Sequence, residues 1–383
     1  MPYKNRVIGS VLGEAIGDAL GHPIEFQKTH KVIGLPSSNP SDNKFTDDTQ
    51  MFCAVGEALL ESPPHMTSED VFMNTLGKKF DEWRHNPLGG SHRAPGGNCM
   101  DAVRKLGAGV SWTQSGGLDF KGNGSAMRSG IVGAYYWKNP QYAFSIGGLT
   151  SVCTHNNLEA ILGSAVVSYL VAASISGQSF ARSIGEVLGL CSNFSKTLPF
   201  YPKQVKFGGE FSDQNPWYAI ARFGTAYALA TDILPTSEVI VRLMDHECIV
   251  TDGAVVPAVA EAIFFTSRFN SFSESVLWAV NNSDDTDTVG AITGTIVGAY
   301  RGVNDIPLEW VEGIELQDYF FDLSDRIWGA SEAVEAKEEN NHSTIEAIRC
   351  VSDNEIDIFE DGEPDSTDSG DSSGDEGDFE IEW

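Results

Sequence analysis

Three observations predict an all-α fold, a single compact helical domain. Apolar residues recur at helical spacing in one segment after another. Alternating apolar and polar runs, the mark of half-buried strands, are nearly absent. Glycine returns every fourth residue in two distant segments, at Gly9, Gly13, Gly17 and Gly21 and again at Gly290, Gly294, Gly298 and Gly302. Each glycine costs about 1 kcal/mol of helix propensity relative to alanine, so two such stripes need a compensating contact. Close backbone-to-backbone packing of the two helices supplies one, and would bring the segments that follow and precede them together.

In chain order, residues 6–20 read as a helix with Val7, Ile8, Val11, Leu12, Ile16, Ala19 and Leu20 on one face. Residues 31–44 are a polar loop bearing Pro and Ser. Thr46-Asp47-Asp48-Thr49 opens an apolar helix that runs through Ala58, Leu59 and Leu60. Residues 67–83 are helical, 86–98 form a Gly/Pro loop, and 100–106 give a short helix. A Gly-rich segment at 116–128 leads into a helix over 126–137. Helices follow at 139–153, 158–175 and 180–191. Residues 193–215 carry no clear pattern and read as an insertion or lid. Helices resume at 216–230, 237–244, 255–265, 273–280, 289–301 and 307–328.

The chain has 383 residues, with 54 Asp+Glu against 25 Lys+Arg. Fourteen of those acids, and no Lys or Arg, lie in residues 353–383, which leaves a net charge of −15 on the rest. A negative body argues against nucleic-acid binding, although a local basic pocket can still hold one anionic ligand. The domain is expected over 1–335. Residues 336–383 form an acidic tail too polar to build a core, hence disordered. Ile356, Ile358, Phe359, Phe379, Ile381 and Trp383 punctuate it, so a partner-docking segment is the alternative to a solvating tail.

Six cysteines without CxxC spacing point to reduced, mostly buried thiols. No signal-peptide profile opens the chain, and the most apolar stretch, 160–175, is short for a membrane span and contains serines. The expectation is a cytoplasmic protein with no membrane contact.

The chemistry concentrates in two stretches. Around Asp284, Asp285 and Asp287, with Thr286 and Thr288, no Lys or Arg occurs between Arg268 and Arg301. Acids so close repel one another unless a cation or a base from elsewhere sits among them. Thr46-Asp47-Asp48-Thr49 repeats the theme. Such residues also cap helices and favour the helix dipole, so each cluster alone is ambiguous. Together they supply five carboxylates and several hydroxyls, an oxygen-only set without Cys or His that suits hard cations and a shared two-metal centre. The Gly122-Asn123-Gly124-Ser125 stretch permits close backbone approach, and N–H groups at a helix start can face phosphate oxygens; it is no P-loop, having no Gly-Lys-Ser/Thr.

Six motifs in order, Gly17-Asp-Ala-Leu-Gly21 with Glu25-Phe26, Thr46-Asp-Asp-Thr49, Arg93-Ala-Pro-Gly-Gly97, Gly122-Asn-Gly-Ser-Ala-Met-Arg128, Thr154-His155-Asn156 and Asp285-Thr-Asp-Thr288, resemble the ADP-ribosylglycohydrolase family across residues 7–328. The resemblance implies a compact orthogonal helical bundle with two divalent cations, Mg²⁺ or Mn²⁺, at the base of an ADP-ribose cleft. It matches Thr46, Asp47 and Asp48 to the first metal motif and Asp285, Asp287 and Thr288 to the second. It makes Glu25, Asp48 and Asp285 the catalytic carboxylates, with Glu25 near the scissile bond. Gly122, Asn123, Gly124 and Ser125 would line the diphosphate, Gly96 and Gly97 its other side, and His155 the ribose or phosphate. Asp284 departs from the pattern, which usually has Gly there.

The implied activity is hydrolysis of the C1″ glycosidic bond between ADP-ribose and a modified protein side chain, arginine slightly favoured over serine. Two alternatives stand beside it: a hydrolase of a small conjugate such as O-acetyl-ADP-ribose, and a non-catalytic protein that binds ADP-ribose or a transferase.

Overall fold

A computed structural model of the chain describes residues 2–25, 32, 34, 42–198, 216–249 and 253–334. Among the described residues the regular structure is helical, with seventeen α-helices, short 3-10 turns and two isolated bridges, Gly117 with His155 and Gly122 with Ala254. The acidic tail, residues 199–215 of the expected lid, and Phe26 lie outside the described residues.

The two glycine stripes meet. A methyl group placed on Gly9, Gly13, Gly17 or Gly21 would overlap the backbone of Gly298, Gly294, Gly290 or Thr286, respectively. The reversed order makes the Pro2–Gly21 and Thr286–Arg301 helices antiparallel, packed closer than any side chain allows. Hydroxyls flank the seam: Ser10 Oγ lies 2.8 Å from Thr295 Oγ1, and Thr286 Oγ1 donates to the Gly21 carbonyl at 2.8 Å. Gly302 plays a different part, ending the second helix at φ 84°. This pairing puts the C-terminal end of the first helix beside the start of the other, so residues 21–25 lie against residues 285–287.

The Leu158–Ser176 helix runs through the interior, with every residue from Leu158 to Ile175 buried. It is long and apolar enough to cross a membrane, yet its apolar stretch is wholly enclosed by the protein. An all-round apolar surface is what a central core helix needs. Gly133 lets the Gly130–Tyr135 helix approach its backbone at Ser168, and Ser168 Oγ donates to the Ser129 carbonyl at 2.8 Å.

Two helical expectations need correction. The helix predicted over 126–137 spans only Gly130–Tyr135. Residues 123–129 form tight turns, with the Ala126 N–H donating to the Asn123 carbonyl at 2.8 Å and Ser129 N–H to Ala126 at 3.1 Å. Buried Arg128 holds that turn by donating to the Gly124 carbonyl at 2.8 Å. The helix predicted over 307–328 is two, Leu308–Gly313 and Gln317–Ala333. Glu315 is drawn out of helical register by a two-pronged pair with Arg93, and Leu316 takes a left-handed φ of 58°. Within 193–215, Phe194–Thr197 is one helical turn. Cys53, Cys99, Cys153, Cys191 and Cys248 are buried free thiols.

Candidate active site

Three helix ends converge because of the glycine seam. The Asp47–Glu61 helix begins at Thr46, whose side chain accepts the Asp48 N–H at 3.3 Å. So the capping reading holds for Thr46, and leaves the carboxylates of Asp47 and Asp48 free for another task. At the second cluster it fails: Asp285 occupies the N-cap position of Thr286–Arg301 without a side-chain cap bond. Its Oδ2 instead accepts from Asn123 Nδ2 at 2.7 Å.

Asp18, which the sequence reading does not single out as a site residue, fixes the first cluster. Its carboxylate accepts the Thr46 N–H at 2.8 and 2.9 Å, the Thr49 N–H at 3.2 Å and the Thr49 hydroxyl at 2.6 Å. The acid thus caps a neighbouring helix across the core, where the N-terminal dipole favours a negative charge. A second tie comes from the Arg93 loop. The Asp47 N–H donates to the Arg93 carbonyl at 3.0 Å, while the Arg93 guanidinium donates to the Phe45 carbonyl at 2.9 Å and to Glu315 at 2.7 and 3.0 Å.

The two clusters share one electrostatic environment. Burial, followed by the charges of Asp287, Asp18, Asp47 and Asp285, pushes Asp48 well above the usual carboxylate range. Burial and then Asp285, Glu25 and Asp18 do the same to Asp287. Asp47 is pushed up to about 8 by burial and then Asp18, and Glu25 to about 7 by burial and then Asp285 and Asp18. Acids far apart in sequence thus crowd one another, and none of Asp18, Glu25, Asp47, Asp48, Asp285 and Asp287 forms an ion pair with Lys or Arg among the described residues. Asp48 Oδ2 is buried without a hydrogen-bond partner. That arrangement calls for positive charge to be brought in, and all-oxygen donors of this kind fit Mg²⁺ or Mn²⁺.

Glu25 stands at the end of the 3-10 turn His22–Ile24, half-buried. His22, Glu25 and Asp287 each offer a ligand atom within 4.8 Å of the others. His22 is a second residue that the sequence reading does not single out; its position three before Glu25 was the available signal. Thr288 is buried, and its N–H donates to Asp287 Oδ1 at 2.8 Å. Asp284 is half-buried.

The Gly122–Ser125 loop adjoins the second cluster. The Asn123 N–H donates to the Gly253 carbonyl at 2.9 Å, and Gly253, at φ 74°, sits against Asp285 where any Cβ would press on Oδ2 at 3.1 Å. His155 packs against this loop: a Cβ on Gly124 would lie 3.0 Å from its ring. Its Nδ1 is 2.9 Å from Thr154 Oγ1, and burial followed by Arg128 lowers its pKa to about 3, so the imidazole is neutral at pH 7. Ser125 is buried, its hydroxyl bonded with those of Ser151 and Ser164 at 2.9 and 3.0 Å. Arg128 is a buried scaffold cation, donating also to Thr154 Oγ1 at 2.6 Å and stacked 4.6 Å over Phe80. Gly96 and Gly97 form the start of the Gly97–Gly107 helix and are exposed, with open space where their side chains would be. They follow the loop of Arg93, whose carbonyl accepts the Asp47 N–H at 3.0 Å.

Comparison with known proteins agrees with this architecture. A sequence profile described as ADP-ribosylglycohydrolase matches residues 1–337. The chain is 22% identical over 331 residues to ADP-ribosylarginine hydrolase Tri1 of Serratia proteamaculans, covering 84% of this chain and 78% of that one. It is 23% identical over 354 residues to ADP-ribosylhydrolase ARH3 of Danio rerio, covering 85% and 90%. A solved structure described as an ADP-ribosylglycohydrolase-related protein complex superposes with a TM-score of 0.60 at 21% identity, over 86% of this chain and 99% of that one, and shares the fold. The chain belongs to the ADP-ribosylglycohydrolase family, whose members are hydrolases.

Proposed function

We propose that this protein removes ADP-ribose from modified protein side chains in a reaction that depends on two divalent cations, Mg²⁺ or Mn²⁺. The observation that carries the reading is the meeting of two acid-hydroxyl clusters and Glu25 in one place with no Lys or Arg paired to them among the described residues. Thr46, Asp47 and Asp48 would hold cations from one side, and Asp285, Asp287 and Thr288 from the other. Cations held there would neutralise the carboxylates and would supply Lewis acidity.

The protein's own groups do the rest. Water forms the new bond to C1″ as the bond to the side-chain nitrogen or oxygen breaks, through an oxocarbenium-like transition state. Glu25, beside both clusters and raised to about 7 in the metal-free protein by burial and then Asp285, takes the water proton, with Asp48 the other candidate. The displaced nitrogen or oxygen takes up one proton in exchange for the one removed from water, so the water is divided between ADP-ribose, as hydroxyl, and the released side chain, as hydrogen. The backbone of Gly122–Ser125 binds the diphosphate, and neutral His155 braces that loop. Residues 1–335 carry this activity. Arginine is the favoured linkage, in keeping with the relatives named ADP-ribosylarginine hydrolase.

The test is release of ADP-ribose from arginine-modified and serine-modified peptides, with Mg²⁺ and with EDTA. Cation-dependent release from the arginine peptide supports the proposal in full; release from serine alone overturns the linkage. No release from either, with ADP-ribose still bound in calorimetry, overturns it in favour of a small conjugate or a binding role.

A further inference from the structure

We infer that His22 is a nitrogen donor at the rim of the acid cluster, and that His22, Glu25 and Asp287 form a mixed nitrogen–oxygen site for a transition-metal ion, with Zn²⁺ bound in preference to Mg²⁺. The inference rests on the reading of the cluster as a divalent-cation centre; it adds His22 as a nitrogen donor outside the oxygen ligand set and gives Glu25 a ligand's part in the Zn²⁺-bound form.

Local structure brings the three together. His22 and Glu25 are first and fourth around one 3-10 turn, with the Glu25 N–H on the His22 carbonyl at 3.4 Å. Side chains three apart in a 3-10 turn eclipse one another, so imidazole and carboxylate leave the backbone on the same side. Pro23 fixes the backbone between them. The turn is pinned to Asp287 from beneath, because Gly21 packs on the Thr286 backbone and accepts the Thr286 hydroxyl at 2.8 Å. One ligand atom from each of the three residues lies within 4.8 Å of the other two. Metal–nitrogen and metal–oxygen bonds of about 2.0–2.2 Å set three donors around one ion roughly 3.3–3.8 Å apart, so donor atoms that lie within 4.8 Å of one another need draw in by at most ~1.5 Å to seat an ion.

The imidazole itself points to a ligand. His22 Nδ1 is buried and has no hydrogen-bond partner. His155 provides the contrast within the same protein: its Nδ1 is satisfied by Thr154 Oγ1 at 2.9 Å, as a structural histidine requires. An imidazole with an unsatisfied ring nitrogen, grouped with two carboxylates, is the donor set of a borderline cation. Imidazole suits zinc and its neighbours, whereas Mg²⁺ prefers six oxygens and sheds water reluctantly. Three protein donors would leave a coordination position open to water or substrate.

Calorimetric titration of the full chain with MgCl₂ and with ZnCl₂ separates this inference from the reading beneath it. Wild type is expected to bind Zn²⁺ more tightly than Mg²⁺. His22→Ala and His22→Gln should each weaken Zn²⁺ by about tenfold or more, with Mg²⁺ affinity unchanged. The visible absorption of the Co²⁺-loaded chain should shift in both variants as the nitrogen donor is lost, a signature that a merely structural role would not move. Zinc affinity and the Co²⁺ spectrum unchanged in the variants overturn the inference, as does an equal loss for both cations. Wild type that binds Zn²⁺ through His22 but not Mg²⁺ sinks the two-cation reading and leaves the His22 site standing. Wild type that binds neither sinks both.

Discussion

Gly17 and Gly290 meet backbone to backbone, and a methyl group on either would overlap the carbonyl oxygen of the other. The same seam carries Asp18 at one flank and ends at Asp287, so helix packing and acid placement are one structural fact. Substituting Gly17 or Gly290 with Val is expected to destabilise the fold by about 1–3 kcal/mol or more, as overpacking does. It should also weaken divalent-cation binding. Denaturant unfolding together with calorimetric titration checks both, and Val variants of wild-type stability would remove the seam from this role.

Neutralising one of the crowded acids should separate stability from activity. Burial and then the charge of Asp287 raise Asp48 in the metal-free protein. Asp48→Asn is therefore expected to melt at a higher temperature than wild type in EDTA while losing cation affinity and turnover. Asp47→Ala should abolish cation binding at the first cluster. Full turnover by the wild-type enzyme in EDTA would dismiss the two-cation mechanism.

Stability should depend on pH in a direction opposite to that of ordinary salt-bridged carboxylates. Glu25 and Asp47 have folded-state values near 7 and 8, well above those of unfolded Glu and Asp. Between pH 6.5 and 8.5 the folded protein still has these protons to lose and the unfolded chain does not, so stability falls as pH rises. His155, lowered to about 3, acts only below pH 6.5 and does not mask the effect. The melting temperature in EDTA should drop across this window, and Mg²⁺ or Mn²⁺ should restore it most at the alkaline end. A flat profile in EDTA would count against the crowding of the acids.

Asp18 is expected to act by positioning. Asp18→Ala leaves the buried Thr46 and Thr49 N–H groups without an acceptor, a loss of about 1–3 kcal/mol per unsatisfied group. Cation affinity should fall with it, because the Thr46–Asp48 stretch is no longer held. Asp18→Asn keeps an acceptor oxygen and should recover part of both. Equal cation affinity in the Ala variant, measured by titration, would show that the helix start holds its shape unaided.

The sequence by itself determined the helical class, because helical periodicity and the absence of alternation are local properties. It also identified both acid clusters and the glycine stripes, whose composition has a direct physical meaning in helices. Its errors lie where a distant partner overrides local preference. Arg128 is drawn away to Thr150 and Thr154 while it holds the Gly124 carbonyl, so residues 123–129 stay as turns, and Arg93 pulls Glu315 out of a helix that its neighbours would otherwise extend. Nothing local in Gly17-Asp18-Ala19 reveals that Asp18 caps the helix beginning at residue 47, 28 residues on from it to Thr46. Nor does a histidine before proline show that it faces Asp287. Only the tertiary structure decided these, since hydrogen bonds and repulsion between acids act through space, and the antiparallel glycine seam sets which helix ends share that space.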